Sequence, residues 1–138
     1  MMIKYLASII FVLLATVAVT AAAESRSDVT GLWQSEFYGN KVECHLEERG
    51  QFLYGVVYVN TRTGERNTYH VAGMINGNHV RAQHGGGNYF EGEIAGDTAS
   101  GTFHMKGCPP LAMKAERVKR GKTTPGGLEW PAGFPPAQ

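Results

Sequence analysis

The chain lacks most of what would mark a catalytic or nucleic-acid-binding protein. Its five histidines form no His-x-His or His-x-x-x-His pair, so the convergent ligands of a metal site are missing. No serine or cysteine stands in a recognisable nucleophile elbow. Past residue 23 no segment has the apolar period of an amphipathic helix. Neither sign of charge dominates. Residues 1–23 carry Lys4 and no acid, and without them twelve basic side chains face twelve acidic ones. That balance argues against the broad basic field that nucleic acids require. Lys114, Arg117, Lys119, Arg120 and Lys122 do crowd together, but they read as a solvated strand end followed by a tail. Cysteine is scarce too, with only Cys44 and Cys108 present. No metal, cofactor or catalytic residue is assigned.

What is present begins with an apolar run from Tyr5 to Ala23, preceded by Lys4 and ending Ala21-Ala22-Ala23-Glu24. A basic start, an apolar middle and a small-residue exit read as a signal peptide over residues 1–23, cleaved before Glu24. The alternative is an uncleaved anchor, because the run is barely long enough to span a bilayer. Cleavage predicts a periplasmic or secreted protein with no further membrane association. Residues 24–29 are then a flexible start, 30–118 one domain, and 119–138 a Pro/Gly-rich tail carrying Trp130 and Phe134.

Between residues 30 and 118 the pattern is that of strands. Val42, Cys44 and Leu46 alternate with Lys41, Glu43, His45 and Glu47, as a half-buried strand requires. The stretch 51–60 is aromatic or branched on both faces, which leaves its register open. Asn76-Gly77 predicts a two-residue hairpin loop that pairs Ile75 with Asn78, Val71 with Ala82 and Tyr69 with His84. Gly96-Asp97 predicts a second loop, pairing Ile94 with Ala99, Gly92 with Gly101 and Phe90 with Phe103. Each hairpin has one apolar and one polar face. The apolar face includes Gly73, Gly92 and Gly101, which let a small barrel bend sharply.

Eight short strands joined by short turns predict an all-β, eight-stranded antiparallel up-and-down barrel, since closure removes exposed sheet edges. An even cysteine count in an exported chain favours one disulfide over a redox or metal site. In this topology Cys44 and Cys108 fall on one rim, so a Cys44–Cys108 bond is expected, contributing on the order of 4 kcal/mol by chain entropy.

Gly31-Leu32-Trp33 on the first strand, with Arg117 on the last, resembles the Gly-x-Trp and closing-arginine signature of the calycin superfamily, which includes lipocalins and avidins. The resemblance spans residues 30–118. It implies that Trp33 plugs the narrow barrel end and that Arg117 packs over it in a cation–π contact, although Lys119 or Arg120 could fill the second role. Nothing matches the Thr-Asp-Tyr stretch of lipocalins, and the several pocket tryptophans of avidins are missing, so biotin binding is not implied.

Function is less legible than fold. An eight-stranded barrel either fills with side chains or holds one small ligand. The expected function is non-catalytic binding of a small apolar or amphipathic ligand at the mouth opposite Trp33. Tyr38, Arg62, Tyr69, His84 and Asn88 are the candidate contacts there. An inhibitor of an exported enzyme, or another module for an exported protein partner, is the alternative, and an enzyme of unrecognised class is the third reading. Glu91 and Glu93 are paired carboxylates, but they fall on the wet face of one strand, without a wall to exclude water. Sequence fixes no oligomeric state.

Overall fold

A computed structural model describes residues 28–126. The expected signal peptide, and Trp130 and Phe134, lie outside them. The strands are β1 (Gly31–Phe37), β2 (Asn40–Arg49), β3 (Phe52–Asn60), β4 (Arg66–Asn76), β5 (His79–His84), β6 (Tyr89–Ala95), β7 (Thr98–His104) and β8 (Leu111–Arg120). Each pairs antiparallel with the next, and β8 returns to β1, so the sheet is a closed barrel. No helix occurs among the described residues.

Alternation decides which side chains share the interior. Trp33, Cys44, Val57 and Tyr69 are cross-strand partners in one inward row, and Ser35, Val42 and Val59 form the row nearer the mouth. On β3 the odd-numbered residues face inward, which resolves the strand whose two faces are both apolar. Leu53, Ile75, Val80, Ile94, Ala99 and Val29 complete the packed core around Trp33.

The second hairpin turns at Gly96–Asp97 with the expected pairs. The first turns one residue later than expected. Its loop is Gly77–Asn78, pairing Ile75 with Val80, Gly73 with Ala82 and Val71 with His84. The reason is in the backbone. A type I′ loop at Asn76-Gly77 needs two successive positive φ angles, and here only Gly77 has one, at +59°. Gly77 therefore takes the first central position, the place glycine holds in a type II′ loop. The pairing slips by an even number of residues, so every side chain keeps its expected face.

β8 also departs from the expected domain end at residue 118. It runs on to Arg120, with a bulge at Val118, where the pairing passes from Leu32–Lys119 to Trp33–Arg117. Arg117 is in phase with the inward Leu111, Met113 and Ala115, and the bulge just after it sets Lys119 opposite the outward Leu32. The first residues of the expected tail are tied down rather than free. The Gly121 amide donates to the Thr30 carbonyl, Thr123 Oγ1 lies 2.9 Å from His45 Nδ1, and the Thr124 hydroxyl donates to Glu47 at 2.8 Å. This segment crosses the outer face of β2.

The expected disulfide is not formed, and both cysteines are free. Strand depth explains it. Cys44 is not at the rim but well inside β2, facing inward between Trp33 and Val57. Cys108 is exposed in the β7–β8 connection, beyond the last pair Phe103–Leu111. Burial pushes the Cys44 thiol up to about 12, so at neutral pH it is an uncharged, unreactive wall group. Under native conditions a thiol reagent should label one site quickly, at Cys108, and the second only after unfolding. Two unreactive sulfurs, with a mass two hydrogens below the reduced value, would restore the bond.

Candidate functional site

The two barrel ends are built differently. At one end the Trp33 indole N–H donates to the Val29 carbonyl at 2.9 Å, and the ring is 5% exposed. The Arg117 guanidinium carbon lies 5.2 Å from the ring centroid. Its Nε donates to Asp97 at 2.8 Å, and Nη1 donates to the carbonyls of Asp28 and Thr30. Nη2 is buried without an acceptor, and the guanidinium as a whole lies over the indole ring in a cation–π contact. One side chain thus ties together the chain preceding β1, the β6–β7 turn and β8.

Asp97 also receives Arg120 Nη2 at 2.9 Å. Hydrogen bonds from Arg120 first, then Arg117, hold its carboxyl below the usual range. The unfolded value is about 3.9, so this carboxylate stabilises the fold above that pH, and the contribution is lost as pH falls through the lower folded value. Asp97→Asn should therefore flatten the decline in denaturation midpoint as the pH is lowered through and below the ordinary carboxylate range. An equally steep decline in the variant would place the acid sensitivity elsewhere.

From the Trp33 end toward the opposite rim the interior opens into a cavity of about 260 Å³. Its wall is apolar over most of its depth: Val42, Cys44, Val57, Val71, Ile94 and Met113 line it, with Phe37, Phe90, Phe103 and Met105 toward the rim. The neutral Cys44 thiol fits such a wall.

Of the five candidate contacts, the structure brings three together. Tyr69, His84 and Asn88 all line the cavity. The Tyr69 and His84 rings meet edge to face at 5.0 Å, although His84 pairs in register with Val71. The backbone amide of His84 donates to the Asn88 carbonyl, which closes the Gly85–Gly87 loop. Tyr38 and Arg62 are not part of the lining. Tyr38 is 68% exposed, at φ +47° in the β1–β2 turn. Arg62 lies against Gly39 of the same turn. Both stand at the β1–β2 turn, where Tyr38 faces solvent, outside the cavity lining. Cys44, Val57 and Val59 are lining residues that sequence reasoning did not assign to the site. The alternation of β2 already pointed Cys44 inward, but for β3 no signal separated the faces.

The titratable residues of the outer wall pair with one another. His79 bridges Glu93 at 2.8 Å and Glu91 at 2.9 Å, and hydrogen bonds from Glu93 first, then Glu91, raise its pKa above the ordinary histidine value. The two carboxylates are thus engaged on the solvent side, with no wall to exclude water. Among the described residues no three His, Cys, Asp or Glu side chains are grouped to hold a metal ion.

No protein-family model matches the chain, and no curated protein or solved structure shows significant similarity to it.

Proposed function

We propose that this chain is an exported, non-catalytic binding protein of calycin-like architecture that holds a small apolar or amphipathic ligand inside the barrel. The observation that carries the reading is the cavity of about 260 Å³ with a mostly apolar wall, closed below by Trp33 and Arg117 and bordered by a few polar groups, Tyr69, His84 and Asn88 among them. Ligand pockets combine these features, an apolar body with a few placed polar groups. An apolar cavity of about 150 Å³ takes up benzene. By that scale this one holds about ten non-hydrogen atoms.

A protein-docking role finds less support. Among the described residues the large exposed apolar side chains, Tyr38, Met74 and Val118, stand on β1–β2, β4 and β8 rather than in one patch. The test is native mass spectrometry of the protein purified from its own source. An additional small mass, released by organic solvent, is expected on a chain that begins at Glu24. Bare chain throughout, with no uptake of added small apolar compounds, would count against the reading.

A further inference from the structure

We infer that the ligand presents a hydrogen-bond acceptor, a carboxylate or carbonyl, at the mouth, because the two polar side chains that line the cavity beside Tyr69 are both fixed as donors. This rests on the reading of the cavity as a ligand site. At His84 the Gly86 backbone N–H donates to Nδ1 at 3.1 Å. A nitrogen that accepts carries no proton, so the neutral ring holds its hydrogen on Nε2. At Asn88 the Lys106 backbone N–H donates to Oδ1 at 3.0 Å. That fixes the amide orientation, since only the oxygen can accept, and leaves the NH₂ group as donor. In each case a main-chain N–H, which cannot reverse its role, occupies an acceptor: the only one of His84, and one of the two lone pairs of the Asn88 oxygen.

Of the remaining polar groups, the Ser35 hydroxyl spends its hydrogen on the Lys114 carbonyl and so offers the cavity only an acceptor, but it stands on β1, four strands round the barrel from His84 on β5. The Tyr69 hydroxyl can give or take. Gln34 and Lys114 border the cavity, but both are exposed residues on the outward phase of their strands. A ligand whose polar end only donates, such as an ammonium, would cover these two half-buried N–H groups and shut them off from water without pairing them, which costs each its hydrogen bond. A molecule of about ten non-hydrogen atoms with an acceptor head fits both the volume and the donors. Its apolar end would run toward Trp33.

The test uses the full mature chain and three probes of matched length: octanoate, 2-octanone and octylamine. Octanoate and 2-octanone are expected to bind about tenfold or more tightly than octylamine, the scale of one or two hydrogen bonds made or left unmade. His84→Leu should reduce that preference to about twofold while still admitting 2-octanone, and His84→Gln should restore much of it, because an amide can accept from Gly86 and still donate. Independently of any variant, ¹⁵N spectra of the imidazole should show Nε2 protonated and Nδ1 bare. Equal affinities for all three probes, or a ring protonated on Nδ1 alone, would overturn the donor assignment while leaving the cavity reading intact. If none of the three binds, the cavity reading fails and takes this inference with it.

Discussion

Trp33→Ala is expected to cost about 3–5 kcal/mol, the scale of truncating a large buried aromatic. Three losses coincide. The ring leaves the core that it shares with Val29, Leu46, Leu53 and Ile75. The Val29 carbonyl loses its indole donor. The Arg117 cation, whose side chain is only 1% exposed, loses the aromatic face beneath it. A buried cation stripped of a partner is expensive. Trp33→Phe keeps a ring under Arg117 and gives up mainly the indole hydrogen bond and some volume, so it should cost about 1–2 kcal/mol. Urea denaturation followed by far-UV circular dichroism measures both. An unchanged midpoint for Trp33→Ala would show that this end of the barrel is not held by its plug.

The second large effect is expected at the facing glycines. Gly92 and Gly101 are cross-strand partners on β6 and β7. A Cβ added at Gly101 would lie 2.6 Å from the Gly92 Cα and would also strike the Glu91 carbonyl. A Cβ at Gly92 would lie 2.8 Å from the Gly101 Cα. These obstacles are backbone atoms that cannot swing aside, so the wall itself must move. Gly101→Val should destabilise by about 2–3 kcal/mol, the upper part of the usual range for overpacking. It should also shift β6–β7 amide resonances more than those of β3–β4. Wild-type stability in the variant would mean that the strands are not so closely coiled there.

Legibility in the sequence followed physical locality. The β6–β7 hairpin was readable to the residue because Gly96-Asp97 lies between strands with one polar and one apolar face, so turn chemistry and alternation agree. At Asn76-Gly77 they agreed only on the faces. The turn moved by one residue because a single glycine, rather than an Asn-Gly pair, supplies the positive φ. The cysteines misled for a different reason. Rim order along the chain says nothing of depth within the barrel, and four residues of β2 separate Cys44 from the rim where Cys108 is exposed. Likewise Val56 faces outward yet is 2% exposed, flanked by His45 and His70 on the neighbouring strands. Hydropathy alone could not tell it from the inward Val57. Tyr69 and His84 were legible as inward-facing neighbours because alternation puts both on the inward phase, although the register sets His84 opposite Val71. The hydrogen bonds that set the donor character of His84 and Asn88 were not, since they depend on the backbone path of the Gly85–Gly87 loop and on Lys106.

The most direct measurement is a methyl-resolved NMR titration of the full mature chain with 1-octanol, a neutral probe sized to the cavity. Binding inside the barrel predicts saturable shifts at the inward methyls of Val57, Val71, Val80 and Ile94, with those of the outward Val56 and Val118 nearly still. Shifts spread over the outward methyls, or none at saturating probe, would contradict an interior binding site.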